Sequence, residues 1–351
     1  MFGFAKALPP HRFAQDEVFR TFRDTYGHKI PRFDRIEEIF VNTGIETRYA
    51  VRPVDWFKEE QGWPERTQAY LDGADALFRE AAGKALEAAG LESADVDTIV
   101  TVSSTGIATP SLEARALVDL GFRGDVRRVP VFGLGCAGGV SGLALAGRLA
   151  KAEPGSNVLL VIVELCTLSF RGDALTKSNI IATALFGDGA CACVVRVDPE
   201  ATGRFAIRAA AEKTWPQTLD IMGWDVDPVG FNVVLSRSIP DFVRQEVRPA
   251  IDAYLDAQGE TLDSLDRVSS HPGGAKVVDA LEAVLDLGQG AMNHERETLR
   301  DYGNMSSPTA LFVLDSAIAS GFAGRSLLMA LGPGFTASLM TVEVPESAGH
   351  A

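Results

Sequence analysis

The chain has 351 residues, of which 46% are hydrophobic and 23% are charged, and its formal net charge is −14 at pH 7. This composition is typical of a folded globular protein and argues against a disordered chain. A strongly acidic protein repels nucleic acid and anionic membranes, so we expect neither as a main partner. The longest apolar run, Val158 to Val163, is far too short to span a bilayer.

Four cysteines bear on the compartment and on metal binding: Cys136, Cys166, Cys191 and Cys193. They lie in apolar or glycine-rich segments and lack the spacing of a metal site. The N-terminal sequence MFGFAKALPPHRF contains no long apolar leader. We therefore expect a cytoplasmic protein with reduced cysteines and no bound metal.

The first part of the chain predicts alternating helices and strands. Apolar residues recur at helical spacing over Gln15–Tyr26 and over Asp72–Ala89. Residues 40–49, FVNTGIETRY, are predicted to be an irregular connector. Asp95–Ser104 is rich in Val, Ile and Thr and predicts a strand, and Ser111 is predicted to cap the next helix.

The segment 129–164, VPVFGLGCAGGVSGLALAGRLAKAEPGSNVLLVIVE, carries the first chemical signal. A β-branched run ends in Gly-Leu-Gly, Cys136 follows, and a helix is predicted over Ala137–Ala152. The start of a helix lowers the pKa of a thiol, and flanking glycines let a substrate approach closely. Cys136 is therefore a candidate nucleophile, although a lone cysteine is more often a small buried hydrophobe.

The middle of the chain continues with loops and strands. Thr167–Ser178 is polar and predicts a loop. The sequence FGDG at 186–189 lacks the lysine of a phosphate loop and precedes a predicted strand, Ala190–Val197, which favours a structural turn. Residues 204–236 predict further strands, and Asp241–Asp256 predicts an amphipathic helix.

The C-terminal part places two further candidate residues beside predicted elements. The strand Arg267–Ser270 runs into His271 of an HPGG turn, and Asn304 is predicted to open a helix. The other elements predicted here are the helices Ala275–Leu287, His294–Tyr302 and Ser307–Ser320, and the strands Ser326–Leu331 and Phe335–Val344 around the turn Gly332-Pro333-Gly334.

The segment 302–334, YGNMSSPTALFVLDSAIASGFAGRSLLMALGPG, repeats the pattern around Cys136. Each copy has a polar residue after glycine, a small-residue helix and a buried strand. Cys136 and Asn304 are 168 positions apart, about half the chain, which predicts two fused copies of one unit. We expect residues 1–200 to carry the cysteine and residues 201–351 to carry His271 and Asn304, with all three meeting at one site.

The motifs GCAGG around Cys136, HPGG at His271 and YGNMSSPT at Asn304 resemble those of type III polyketide synthases. These enzymes are the chalcone and stilbene synthase-like branch of the thiolase superfamily. FRGD at 170–173, LFGDGA at 185–190 and LGPG at 331–334 match as well. The resemblance, to a bacterial type, implies an α/β, thiolase-like duplicated fold of five layers, α-β-α-β-α, usually a homodimer and without a cofactor.

The resemblance also implies the chemistry. Cys136 would accept the acyl group of an acyl-CoA starter, and His271 would hold the cysteine as a thiolate. His271 and Asn304 would donate hydrogen bonds to the thioester carbonyl of malonyl-CoA, stabilising the enolate left by decarboxylation. Attack of that enolate on the Cys136 thioester lengthens the chain, and Phe186 matches the aromatic gatekeeper of the cavity.

The remaining site residues follow from family positions. Arg48 alone remains of the basic cluster that binds the CoA phosphates in plant enzymes, and Thr109 replaces a methionine that crosses the dimer interface. The segments 105–114 and 236–243 resemble alkylpyrone and alkylresorcinol synthases, which take long fatty acyl starters. The positions expected to shape the cavity are Ser104, Thr105, Thr109, Cys166, Ser169, Ser306, Gly332, Pro333 and Gly334.

Two other functions stay open at this point. A single-round ketoacyl-carrier-protein synthase III shares the fold and a Cys-His-Asn set, but its histidine lies in a His-Gln-Ala-Asn context. The third hypothesis is a catalytically silent partner subunit, and the complete Cys-His-Asn set argues against it.

Overall fold

The structure is a computed structural model that describes residues 1–31, 33–198 and 203–350. The helices are α1 (Gln15–Tyr26), α2 (Asp34–Val41), α3 (Trp63–Ala89), α4 (Leu112–Leu120), α5 (Gly138–Ala152), α6 (Lys177–Leu185), α7 (Ile239–Phe242), α8 (Arg248–Asp256), α9 (Ala275–Val284), α10 (Asn293–Tyr302) and α11 (Thr309–Ala319). The strands are β1 (Phe2–Ala7), β2 (His11–Ala14), β3 (Thr47–Ala50), β4 (Thr98–Val102), β5 (Arg127–Val131), β6 (Val158–Leu165), β7 (Asp188–Val195), β8 (Ala206–Thr214), β9 (Met222–Asp227), β10 (Gly230–Leu235), β11 (Arg267–Ser270), β12 (Gly324–Gly332) and β13 (Thr336–Val344).

Two sheets form the framework. The first has five strands in the order β1-β7-β6-β4-β5, in which β4 pairs in parallel with β5 and β6. The second has four strands in the order β11-β12-β13-β8, with a parallel β11–β12 pair. Every residue of β6 and β7 is buried, because helices cover both faces of the first sheet.

The helices make three layers around these sheets. α3 packs on the outer face of the first sheet, α8 and α9 pack on the outer face of the second, and α5 and α11 fill the space between them. The order is therefore α-β-α-β-α, which confirms the predicted thiolase-like fold class. The first sheet uses residues 2–195 and the second uses residues 206–344, while the boundary at residue 200 stays a prediction.

Several predicted elements differ from those found. Residues 40–49, predicted to be an irregular connector, contain the end of α2 and most of β3. α3 begins at Trp63 and not at Asp72, because Pro64 and a Glu65 carboxylate that accepts from the Gly62 N–H start it nine residues earlier. The polar loop predicted over Thr167–Ser178 ends earlier, because α6 begins at Lys177. The Thr176 hydroxyl oxygen caps this helix by accepting from the Asn179 N–H. Ser111 does stand at the start of α4, but its hydroxyl donates to Glu113 and does not cap the helix.

The amphipathic helix predicted over Asp241–Asp256 is present but changes its winding. α7 passes into a π-helical stretch, Val243–Val247, which leads into α8. Pro249 has no N–H to bond to the carbonyl four residues earlier, so the helical ladder is interrupted at this point. In the part of the chain that the structure describes, no helix is long and apolar enough to cross a bilayer.

Candidate active site

Cys136 lies in a turn of 3-10 helix, Gly135–Ala137, that leads directly into α5, and its side chain is buried. Its thiol forms a hydrogen bond with the Ser306 side chain. Gly135 has φ +48°, and a Cβ there would lie 2.6 Å from Cδ of Pro333. The cysteine loop is thus clamped against the turn at Pro333, and only glycine fits at position 135.

Asn304 is placed by strand-like pairing and not by a helix start. α11 begins only at Thr309, and Asn304 forms an isolated bridge with Phe186. The Asn304 Oδ1 accepts from the Ser306 N–H at 2.8 Å, and its Nδ2 donates to the Gly273 carbonyl oxygen at 3.2 Å. The expectation that Asn304 opens the helix is wrong, because the intervening Ser306 has φ 61°, which is not helical.

His271 follows the last residue of β11, and its N–H donates to the Met329 carbonyl oxygen at 2.9 Å. Only 4% of its surface is exposed, and neither ring nitrogen has a hydrogen-bond partner among the residues that the structure describes. Buried polar atoms are nearly always paired, so an unpaired buried imidazole indicates a group that meets a ligand. The Glu295 carboxylate holds the strand end by accepting from the Ser270 N–H at 2.9 Å.

A short chain of contacts joins the three residues. Ser306 contacts both Cys136 and Asn304, and Asn304 bonds to Gly273, two residues beyond His271. The first half of the chain supplies the thiol, and the second half supplies the imidazole and the amide. These contacts bring the segments that carry the three predicted side chains next to one another, while the chemical roles of the side chains stay predictions.

The electrostatics of this site differ from the expectation. Burial raises the pKa of the Cys136 thiol to about 12, although the bond from Ser306 opposes that rise. Burial also lowers the pKa of His271 to about 4. The sequence predicted a thiol pKa depressed by a helix start, and this is wrong, because the loss of water outweighs the helix. Burial thus favours the neutral form of both the thiol and the imidazole.

Glu164 is a buried carboxyl group that the sequence analysis missed. Its Oε2 accepts from the Ser104 N–H at 3.0 Å and from the Thr105 hydroxyl at 2.8 Å. The Ser307 hydroxyl lies 2.6 Å from its Oε1 and 2.7 Å from the Gly135 carbonyl oxygen. A single hydroxyl hydrogen cannot serve both acceptors, whereas a protonated Glu164 that donates to Ser307 satisfies the whole network.

The pKa of Glu164 agrees with this arrangement, because burial raises it from 4.5 to about 7. Glutamine mimics the protonated acid, so we use Glu164→Gln to test it. The unfolded chain ionises near pH 4.5, so stability from the bound proton is complete below that pH and is lost as pH rises towards 7. We expect the wild-type free energy of unfolding to fall by roughly 3 kcal/mol relative to Glu164→Gln between pH 4 and pH 8. Parallel curves in urea titrations across this range would show that folding does not raise the pKa of Glu164.

Phe186, Cys166 and Ser169 line one apolar cavity together with Val18 of α1 and Phe170. Cys136, His271 and Asn304 do not line it. Phe186 is the residue that the two places share, since its main chain pairs with Asn304. This position suits the predicted gatekeeper.

Ser104 and Thr105 are buried and tied to Glu164, and the Ser104 hydroxyl accepts from the N–H groups of Gly133 and Gly135. Trp224 of β9 donates its indole N–H to the Ser104 carbonyl oxygen at 2.7 Å. This second-half residue was missed because a strand pattern over residues 204–236 does not show which side chain reaches across to Ser104. Thr109 is exposed and does not line this apolar cavity.

The turn Gly332-Pro333-Gly334 supports the cysteine loop. A Cβ at Gly332 would lie 2.6 Å from the Leu134 carbonyl oxygen and 2.7 Å from the Ala137 N. With Pro333 against Gly135, this turn fixes the backbone on both sides of Cys136. It therefore acts on the position of the thiol and only indirectly on the cavity.

Arg48 does not present its charge to an open surface. Only 3% of its surface is exposed, and its guanidinium donates to main-chain carbonyl oxygens of Thr183, Ala184 and Phe186. The expectation that Arg48 binds CoA phosphates does not fit this burial, because both of its Nη atoms donate to carbonyl oxygens at a helix end.

The layered fold and the buried thiol, imidazole and amide define a condensing enzyme of the thiolase-like class. Family models for chalcone and stilbene synthases match this chain, the N-terminal domain over residues 1–199 and the C-terminal domain over residues 206–345. The chain belongs to the chalcone and stilbene synthase family, the type III polyketide synthases, and is an acyltransferase.

Individual relatives agree with the family. The chain is 36% identical over 344 residues to a 1,3,6,8-tetrahydroxynaphthalene synthase of Streptomyces peucetius, covering 95% of this chain and 90% of the relative. It is 29% identical over 341 residues to a phloroglucinol synthase of Pseudomonas fluorescens, covering 96% of each. The crystal structure of the tetrahydroxynaphthalene synthase of Streptomyces coelicolor, a bacterial type III polyketide synthase, superposes with a TM-score of 0.92 at 29% identity, covering 98% of this chain and 99% of the other.

Proposed function

We propose that the protein extends an acyl-CoA starter by iterative decarboxylative condensation with malonyl-CoA and then cyclises the product. The observation that carries this proposal is the convergence of Cys136, His271 and Asn304 through Ser306 and Gly273. The thiol holds the growing acyl chain as a thioester. In this proposal the His271 imidazole and the Asn304 amide donate hydrogen bonds to the enolate oxygen of decarboxylated malonyl-CoA, where the negative charge develops.

The reaction needs the cysteine proton to leave. His271 has a free ring nitrogen to accept it, and the resulting thiolate and imidazolium attract each other where water is excluded. Attack of the thiolate on the starter thioester releases CoA, which takes up the proton. Burial opposes either charge alone, so both charges form together, at the moment of acyl transfer.

The apolar cavity supports a long aliphatic starter. Its lining is mainly aromatic and aliphatic, with Phe13, Phe22, Tyr26 and Phe57 around Phe186. A hydrocarbon chain gains from burial against such a lining, whereas a polar starter does not. We therefore propose alkylpyrones or alkylresorcinols as products.

The matching experiment incubates purified protein with malonyl-CoA and acyl-CoA starters from acetyl to palmitoyl, and identifies products by mass spectrometry. Val18→Trp fills the cavity and is expected to lower kcat/KM for long starters at least ~10-fold relative to short ones. Val118→Trp, at an exposed position on α4, is the matched control and leaves that ratio unchanged.

The alternative outcomes each name another function. Hydroxylated aromatic products from malonyl-CoA alone would match the names of the Streptomyces and Pseudomonas relatives and exclude the long starter. A single two-carbon extension that requires carrier-protein malonate would indicate the ketoacyl synthase. The absence of any product would indicate the silent subunit.

The assembly and the location stay predictions. A homodimer is supported by the edge position of β5 and by Ile107 and Phe132 near it, which are 53% and 54% exposed. Analytical ultracentrifugation measures this state directly. The cytoplasmic location predicted from cysteine usage is in keeping with four free cysteines.

A further inference from the structure

A buried arginine occupies the C-terminal end of α6. The Nη1 of Arg48 donates to the Thr183 carbonyl oxygen at 2.5 Å and to that of Phe186 at 2.8 Å. Its Nη2 donates to the Ala184 carbonyl oxygen at 3.2 Å and to the Gln15 side chain. The last carbonyls of a helix lack helical partners, and a cation is favourable there. Arg48 thus caps the helix from another element, β3.

Gln15 completes this cap from α1. Its Nε2 donates to the Ala184 carbonyl oxygen at 2.9 Å and to the Thr43 hydroxyl at 3.2 Å. Gln15 is 9% exposed, so the cap is closed to water on this side as well. Burial lowers the pKa of Arg48 to about 9, and the nearby Asp188 charge opposes that change. The guanidinium therefore stays charged at neutral pH.

The capped segment in turn holds Asn304. The Asn304 N–H donates to the Leu185 carbonyl oxygen at 2.9 Å, and the Asn304 carbonyl oxygen accepts from the Gly187 N–H at 3.0 Å. Both main-chain groups of Asn304 therefore depend on residues 185–187. Phe186 is the middle residue of this segment.

Arg48 packs against Gly187 and Gly303 without free space between them. A Cβ at Gly187 or at Gly303 would lie 3.4 Å from Cβ of Arg48. A Cβ at Gly303 would also lie 3.0 Å from the Leu185 carbonyl oxygen. Because these segments pack this closely, a shift of Arg48 also moves residues 185–187, and Asn304 moves with them.

We propose that Arg48, with Gln15, is a positioning residue that fixes Asn304 and Phe186 for malonyl-CoA decarboxylation. The inference rests on the proposed function for its kinetic consequence. Arg48 touches neither the reacting atoms nor Cys136 in the contacts above, and it acts through the main chain of residues 185–187. Lysine cannot replace it, because one ammonium group does not reach the separate carbonyls that the planar fork reaches.

The test compares Arg48→Lys with wild type in two steps of the reaction. Malonyl-CoA decarboxylation is followed by acetyl-CoA formation, and acyl loading on Cys136 is followed by intact-protein mass. We expect decarboxylation to fall about 10-fold, since a small misplacement of a catalytic group costs up to ~10²-fold. Loading is expected to change less than about 2-fold.

Arg204→Lys is the control, because Arg204 pairs with Asp315 and contacts none of residues 185–187 among the contacts of the described chain. It is expected to leave both rates unchanged. A parallel loss of decarboxylation and loading in Arg48→Lys would show a merely structural role and overturn the proposal.

Hydrogen exchange separates this inference from the proposed function. The amides of Gly187 and Asn304 are expected to exchange at least ~10-fold faster in Arg48→Lys than in wild type and Arg204→Lys. Unchanged exchange would overturn the positioning role even in an active enzyme. A wild type that does not decarboxylate malonyl-CoA would refute the proposed function, and the exchange rates would still decide the role of Arg48.

Discussion

A Cys136→Ala variant is expected to lose product formation by about 10³-fold or more and to carry no acyl group after incubation with acyl-CoA. Ser306 links this thiol to Asn304, and Asn304 bonds to Gly273, two residues beyond His271. Alanine fits the same buried turn without the sulfur, so the fold is preserved. Intact-protein mass spectrometry measures the acyl adduct, and chromatography measures the product.

Malonyl-CoA decarboxylation responds differently to this change. His271 and Asn304 keep their places in Cys136→Ala, so acetyl-CoA formation is expected to continue at a measurable rate. Cys193→Ala is the matched control, since Cys193 is also fully buried but lies within β7. That control keeps both loading and product formation. An acyl adduct that persists in Cys136→Ala would identify another nucleophile and contradict the assignment.

An Asn304→Ala variant is expected to show the reverse pattern. Its amide Nδ2 has two hydrogens, and one donates to the Gly273 carbonyl oxygen, which leaves the other for the enolate. Removing one such donor costs ~10²–10³-fold in the step where the negative charge develops. Decarboxylation of malonyl-CoA is therefore expected to fall by this factor, while acyl loading on Cys136 falls less than about 10-fold.

Single-turnover assays on one protein sample compare the two steps, so loading is the internal control for folding. The Ser306 N–H also loses its acceptor in this variant, and a circular dichroism melt checks the effect on stability. Equal losses in loading and decarboxylation would contradict the role assigned to Asn304. Together, the cysteine and asparagine variants divide the reaction into its two chemical steps.

Local pattern predicted much of this fold, while the roles of the site residues stay predictions. Gly-Leu-Gly before Cys136 and HPGG after a strand predicted the local structure at Cys136 and His271, since they reflect backbone requirements close in sequence. The helix start that the half-chain repeat predicted for Asn304 is wrong. The five-layer fold class was predicted from the family resemblance and is confirmed. The start of α3 was missed because its first turns are polar and carry no apolar periodicity.

The contacts that complete the site were not predictable from local pattern. Glu164 lies within a buried strand, and a single carboxylate in an apolar run does not predict a particular role. Its partners Ser104 and Ser307 lie 60 and 143 positions away. Arg48 was assigned to a phosphate from its position in the family's basic cluster, whereas in the structure it is buried and donates to three carbonyl oxygens at a helix end and to the Gln15 side chain. The pKa of the Cys136 thiol was mispredicted because the sequence does not show how far burial removes water from the thiol.

The Ser307–Glu164 contact has a consequence for the ancestry and engineering of the chain. A residue of the second half reaches across to a carboxyl group and a cysteine loop of the first, so we expect that neither half alone assembles this buried network. A hybrid chain can join the first half of this protein to the second half of a relative near residue 200. Such a chain takes Glu164 from one parent protein and the residue that contacts it from the other. Such hybrids function only where the parents agree at these crossing positions, and natural exchange of halves is constrained in the same way.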